Sequence, residues 1–289
     1  MIVDDENREI LVTNDDVNLL INTIKTESEY DFSDYSDKSF KRRVEKLLTD
    51  YKTDVSGVIR RIRKEPEFIE TIIKEITVNT TELFRDVQTW QTLKHRILPK
   101  LKDNETINIW HAGCSTGQEV YSILIILAEL NLLEKARVYA TDINTDALEV
   151  AKKGVYKYRF NMAYLDSFDK VMKLNPYNYD EYNDIPYAKF FEIDKPQDTI
   201  RMKQFLREKP VFKKHDLVKG ENIFYTKFDI IICRNVLIYF NNKLQNRVFD
   251  LFHKSLNDNG YLVLGMHESI LGPMATKFEK KGTNYIKKQ

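Results

Sequence analysis

Cysteine is almost missing from this 289-residue chain, and two residues, Cys114 and Cys233, cannot build a disulfide framework. No stretch approaches the ~20 consecutive apolar residues that a membrane span requires. Asp4, Asp5 and Glu6 break up any leader-like apolar core after Met1. Net charge is lacking as well. Lys+Arg total 45 against 44 Asp+Glu, a formal +1, so no global field points to nucleic acid or a membrane surface. The local basic runs also lack the interleaved aromatics on which bases stack. The five histidines (His95, His111, His215, His253, His267) show no ligand spacing such as H-E-x-x-H, so no metal is expected. These absences leave a soluble, cytoplasmic protein with no nucleic-acid partner and no direct membrane insertion.

What is present changes character near residue 105. Before it the apolar periodicity is helical throughout. Thr13-Asn14 can cap a helix carrying Val17, Leu20, Ile21 and Ile24. A second helix is expected after Ser39, with Phe40, Val44, Leu47 and Leu48 on one face. Residues 54–64 repeat the pattern, and Pro66 suits the first turn of a helix bearing Phe68, Ile69, Ile72, Ile73 and Ile76. Residues 87–104 read as a connecting helix punctuated by Pro99. Residues 1–86 are therefore expected to form a small all-helical domain.

After residue 105, strands and helices alternate. Strands are expected at 106–110, 137–141, 209–214, 228–232 and 261–265, with helices at about 118–131, 144–153 and 242–257, the last closed by Gly260. A final hairpin is expected around Gly282. This alternation predicts an α/β domain over 105–289 built on a doubly wound, mostly parallel sheet. No glycine occurs between Gly154 and Gly220, while Pro176, Pro186 and Pro196 and five tyrosines (164, 177, 179, 182, 187) crowd that stretch. So long a structureless loop does not fit a compact domain, so about 157–208 is expected to be an insertion with its own small fold or a partner-binding arm.

Polar residues gather where such a sheet binds ligands, at the carboxyl ends of its strands. Gly113 and Gly117 lie between a strand and a helix start, without the full G-x-G-x-x-G spacing of a dinucleotide fold. Asp142 ends the next strand, placed either to accept from ribose hydroxyls or to cap the following helix. Asp216 ends another, as an adenine-amine acceptor or a turn acid. Glu119 opens a helix, where acids are favoured by the dipole in any case. Arg234, Asn235 and Tyr239 follow the apolar run 228–232 within a single turn, and a charge, an amide and a phenol make poor core material there.

The segments Ile76-Thr77-Val78-Asn79-Thr80-Thr81-Glu82-Leu83-Phe84-Arg85-Asp86, Ala112-Gly113-Cys114-Ser115-Thr116-Gly117-Gln118-Glu119, Ala140-Thr141-Asp142-Ile143 and Cys233-Arg234-Asn235-Val236-Leu237-Ile238-Tyr239-Phe240 resemble, in order, motifs of the CheR family. Those proteins are S-adenosylmethionine-dependent methyltransferases that esterify glutamates on chemotaxis receptors. The resemblance implies a seven-stranded, Rossmann-like methyltransferase sheet behind a helical domain. It also implies S-adenosylmethionine as cofactor, S-adenosylhomocysteine as product, and a monomer acting on acidic cytoplasmic helices of chemoreceptors or a related protein. Asn79, Thr81, Arg85, Glu119, Asp142, Asp216, Leu217, Arg234 and Asn235 match cofactor-binding positions; Asp216 stands where the family usually has asparagine. Tyr239 matches the tyrosine near the transferred methyl, and Tyr239 with Arg85 are the expected catalytic residues. The basic runs Lys38–Lys46 and Arg60–Lys64 match helices that the family uses for substrate docking, although a solvated helix face explains them equally. The glycine-free insertion departs from the receptor-tail-binding subdomain of tethered members. A small-molecule carboxyl methyltransferase and a non-catalytic cofactor-binding regulator are the alternatives.

Overall fold

The computed structural model describes residues 12–77, 79–159 and 162–288; Val78 of the first motif and the Met1–Glu6 stretch lie outside them. The chain divides into two compact units. One holds the chain up to Val78 together with Ile238–Gln245, and the other holds Asn79–Leu237 and Asn246–Gln289.

The first unit is helical: α1 (Asn14–Glu27), α2 (Asp37–Asp50), α3 (Val55–Lys64) and α4 (Phe68–Ile76). Thr13 and Asp16 form a reciprocal capping box at α1, and Asp54 caps α3 through Gly57 N. The expected apolar stripes face inward: Leu20, Ile24, Phe40, Val44, Ile62, Ile72 and Ile73 are almost wholly buried. Two starts differ from expectation. α2 begins after Ser36, not Ser39, and Pro66 lies in the turn before α4, not in its first turn. Ile238–Gln245 joins this unit through backbone bonds, Ser36 N to Tyr239 O and Asn241 N to Asp34 O (both 2.9 Å). Tyr35 also pairs with Phe240, their rings 5.0 Å apart.

The second unit carries β1 (Ile107–Ala112), α6 (Gln118–Glu129), β2 (Ala136–Asp142), α7 (Thr145–Lys153), β6 (Val211–Lys214), β7 (Phe228–Cys233) and β8 (Leu256–Leu264), then the hairpin β9 (Phe278–Lys281) and β10 (Asn284–Lys287). The strand order is β6-β2-β1-β7-β8-β10-β9; the first five are mutually parallel, and β10 pairs antiparallel with both β8 and β9. This is the expected seven-stranded, mostly parallel sheet. The chain builds outward from β1 through β2 to β6, then returns to β1's other side with β7. The order therefore reverses between β1 and β7, and that crevice is where a doubly wound sheet takes ligands.

One expectation is corrected and two are made more specific. α10 (Asn242–Ser255) stops before Leu256, so Gly260 does not close it. Gly260 lies within β8, beside the register shift between Phe228 and Ile230, and a Cβ there would meet Asn257 O at 2.8 Å. Its role is close backbone approach at a bulge. The connecting segment is a broken helix, α5 (Val87–Thr92), then a π stretch (Leu93–Ile97) and a 3-10 turn (Leu98–Leu101). Lys94, in the π stretch, is buried and donates to Val171 O and Met172 O at the end of α8 (Ala163–Met172). Finally, of the two expected forms of the insertion, a small fold or an arm, the structure has the small fold. β3 (Val155–Lys157), β4 (Phe191–Asp194) and β5 (Thr199–Met202) form an antiparallel sheet in the order β3-β5-β4, with α9 (Gln204–Arg207) after it. Phe168, Phe190 and Phe191 from this region belong to the main core, whereas Tyr179 and Tyr182 stay exposed.

Candidate active site at the sheet switch point

The loop after β1 turns through Gly113 (φ +75°) and Ser115 (φ +50°), and the N–H groups of Gly113 and Cys114 both donate to Thr141 O. A Cβ on Gly113 would lie 2.4 Å from Val236 Cγ2, so glycine is required both by conformation and by the approach of the β7 turn. Gly113→Ala should cost about 2 kcal/mol from backbone strain and overpacking, read as a lower urea midpoint with unchanged slope. Gly117 (φ +87°) precedes α6, and a Cβ there would meet Ala151 of α7 at 2.7 Å. Close helix packing is thus a sufficient reason for that glycine.

Asp142 ends β2 with its side chain nearly buried. Its Oδ2 accepts from Ser115 N (2.7 Å) and its Oδ1 from Asn144 N (2.9 Å). Asn144, not Asp142, caps α7, accepting from Asp146 N and Ala147 N. Burial pushes the Asp142 carboxyl above its ordinary range, against the backbone N–H groups and His111, which favour the charge. The backbone N–H groups of Ser115, Asn144 and Ile143 do not use all of the roughly four acceptor positions of the carboxylate.

Arg234 follows β7, its side chain fully buried and its guanidinium divided between two acids: Nη1 donates to Glu119 Oε1 and Nη2 to Asp86 Oδ2. His111 Nε2, at the end of β1, lies 3.5 Å from Glu119 Oε2. The Trp90 ring centroid is 5.6 Å from Arg234 Cζ, and Trp90 Nε1 donates to Arg85 O. Asp86 stands at the start of α5 in the left-handed region (φ +59°) without capping it, because its carboxylate turns to Arg234. Burial raises the Glu119 carboxyl, but Arg234, His111 and Arg85 together bring it below its ordinary range. Glu119 thus stays ionised inside the protein because cations surround it.

Of the residues singled out from sequence, Arg85, Glu119, Asp142 and Arg234 are drawn into this electrostatic neighbourhood. Asn235 adjoins it in left-handed conformation (φ +59°). Thr81 is half-buried, its carbonyl accepting from Tyr164 OH, and Asn79 is exposed. Asp216 follows β6 and accepts from Val218 N, with Leu217 buried beside it. Tyr239, half-buried, belongs to the helical unit. Sequence reasoning passed over His111, Asp86 and Glu268. The signal for Asp86 was available, an acid beside Arg85 in an otherwise recognised motif. Cys114 and Cys233 are fully buried and burial pushes both thiols well up, so neither is an activated nucleophile.

Four buried polar atoms around the switch point have no hydrogen-bond partner: His111 Nδ1, Ser115 Oγ, Arg234 Nε and Asn235 Oδ1. Other buried atoms, such as Arg207 Nε and Tyr285 OH, also lack a partner, so it is the position of these four at the carboxyl ends of β1 and β7 that suits them to a polar ligand. Together with Asp142, they fit a ligand carrying hydroxyls and charged groups.

A doubly wound sheet with such a switch-point cluster defines a nucleoside-type binding domain, and comparison with known proteins narrows it. Residues 79–166 and 173–286 match the CheR methyltransferase SAM-binding domain, and residues 15–77 match the CheR methyltransferase all-alpha domain. The chain is 35% identical over 259 residues to the putative methyltransferase Cher3 of Pseudomonas putida, covering 89% of this chain and 90% of that one. It is 30% identical over 280 residues to a chemotaxis protein methyltransferase of Borreliella burgdorferi, covering 92% of each. A chemotaxis protein methyltransferase of Listeria monocytogenes is 28% identical over 254 residues, with 86% and 88% covered. This chain belongs to the CheR methyltransferase family, and its enzyme class is S-adenosylmethionine-dependent methyltransferase.

Proposed function

We propose that this methyltransferase esterifies glutamate side chains on the acidic cytoplasmic helices of chemoreceptors, as a cytoplasmic monomer and without a metal. The observation that carries the proposal is the set of unpartnered buried atoms at the carboxyl ends of β1 and β7, beside Asp142. The names of the Borreliella and Listeria relatives support the chemotaxis context. Among the described residues no helix is long and apolar enough to cross a membrane.

In this reading Asp142 holds the ribose hydroxyls and Glu119 the ammonium of the amino-acid tail. Asp216 and Leu217 flank the adenine, and Asn79, Thr81 and Arg85 reach the cofactor from the segment before α5. Arg234 and Asn235 form the wall at the switch point. Bound there, S-adenosylmethionine supplies a methyl group already activated as a sulfonium. A glutamate carboxylate is ionised at neutral pH, so the protein needs no general base. Its remaining work is alignment, which in well-oriented systems is worth roughly 7–11 kcal/mol. Tyr239 orients the substrate carboxylate through its hydroxyl, and Arg85 anchors a carboxylate of cofactor or substrate. Exposed Lys38, Arg42, Arg60 and Lys64 on α2 and α3 steer acidic helices toward the enzyme.

Radiolabelled methyl from S-adenosylmethionine should enter chemoreceptor membranes and be released by mild base, as an ester is. Tyr239→Phe should lower kcat by about 10- to 100-fold with S-adenosylhomocysteine affinity kept. Turnover on small carboxylic acids without any protein acceptor, or full activity of Tyr239→Phe, would contradict these assignments.

A further inference from the structure

Four backbone N–H groups converge on one carboxylate. Glu268, in the turn after β8, accepts from Asn235 N and Gly265 N (both 2.8 Å) through Oε2, and from Val236 N (2.9 Å) and Leu237 N (2.8 Å) through Oε1. The residue is 8% exposed. Three consecutive N–H groups turned to one side make an anion-binding cradle, and here the protein fills that cradle with its own side chain. Gly265 testifies to the same fit. Its φ is not positive, but a Cβ there would lie 2.8 Å from Glu268 Oε2 and 3.0 Å from Asn235 N. Carboxylate and turn are packed so closely that only a glycine passes between them.

The turn so held is the one that leaves β7 at the switch point. Its first clamped residue, Asn235, sits at φ +59° and carries the unpartnered Oδ1. Asparagine enters the left-handed region readily, but a single N–H bond would not hold a turn of this shape against its alternatives. Arg234, directly before it, must meet Glu119 and Asp86 at once, so a small swing of the turn would break a buried ion pair. We infer that Glu268 is a positioning residue for cofactor binding: its carboxylate fixes the backbone of Asn235–Leu237 and thereby sets Asn235 and Arg234 at the ligand crevice. The inference rests on the S-adenosylmethionine site proposed above.

Glu268→Gln preserves shape but replaces one acceptor oxygen with a donor, so the two N–H groups on that oxygen lose their partner. The Kd for S-adenosylhomocysteine and the KM for S-adenosylmethionine should each rise by about tenfold or more, while the KM for the protein acceptor stays put. Glu268→Gly empties the cradle, and added formate should restore cofactor affinity in a concentration-dependent way. A merely structural glutamate would give a smaller active fraction with unchanged cofactor KM and no response to formate, and that result overturns the inference. Should Glu268→Gly fail to fold, the cofactor KM of Glu268→Gln decides alone. A wild-type enzyme that bound no S-adenosylhomocysteine in calorimetry would instead refute the cofactor site itself. Wild-type binding with an unaffected Glu268→Gln variant refutes only the role of Glu268.

Discussion

Replacing Arg234 with methionine should destabilise the sheet unit by about 3–5 kcal/mol at neutral pH. The side chain is fully buried and its guanidinium is shared by Glu119 and Asp86. Removing it leaves Glu119, itself buried, with only His111 at 3.5 Å and the more distant Arg85. Burial then dominates and drives the Glu119 carboxyl upward, so the variant relieves part of its cost by taking up a proton. This fixes the pH dependence. In the native protein Glu119 titrates below its ordinary value, so its ion pair contributes above the unfolded carboxylate range and fades as the pH falls through the lowered folded value. The gap between native and Arg234→Met should therefore be widest near neutrality and shrink in acid. Urea unfolding at several pH values measures it directly. Adding Glu119→Gln and Asp86→Asn to Arg234→Met should recover most of the loss, because three neutral side chains no longer strand a charge. A pH-independent deficit would mean that packing of the arginine stem, and not its charge, holds the site together.

The same arginine shows how far the sequence could be read. Arg234 was conspicuous as a charge directly after the apolar run 228–232. Its partners were not, since Glu119 and Asp86 lie 115 and 148 residues away. Only folding brings strand β7, the start of α6 and the residue before α5 together. Strand tips were legible because short β-branched runs ending in a polar residue have few other uses. The switch point followed only from strand order, which local pattern does not encode. Glu268 left no signal at all, because its partners are backbone N–H groups and every residue but proline has one. Gly260 carried a misleading one: a glycine after a helical pattern reads as a stop, yet here it admits the Asn257 and Phe228 carbonyls at a bulge. The insertion's tyrosines drew attention away from Phe168, Phe190 and Phe191, which bury that segment in the main core.

Asp142→Asn should weaken S-adenosylhomocysteine binding by roughly 30- to 1,000-fold, or about 2–4 kcal/mol, as expected for losing a pair of charge-assisted hydrogen bonds. The carboxylate now satisfies Ser115 N with one oxygen and Asn144 N with the other. An amide keeps one acceptor and turns its NH2 group toward a backbone N–H, so the free lone pairs proposed to receive the ribose hydroxyls are no longer both in place. Stability should respond quite differently. Burial raises the Asp142 carboxyl above its ordinary value, so its ionised form costs stability, a cost that appears as the pH rises from the unfolded to the raised folded value. The neutral amide removes that cost while weakening one N–H contact, two changes of opposite sign. The ligand-free variant should therefore unfold close to the native midpoint while its cofactor affinity collapses. In turnover the KM for S-adenosylmethionine should rise, with kcat at saturation changed far less, because in the proposed site Asp142 holds the ribose and stands apart from methyl transfer. Isothermal calorimetry beside thermal unfolding separates these quantities. A variant that bound the cofactor product as tightly as the native enzyme would remove Asp142 from the site, and a variant that lost stability in step with affinity would reduce it to a clamp between the loops after β1 and β2.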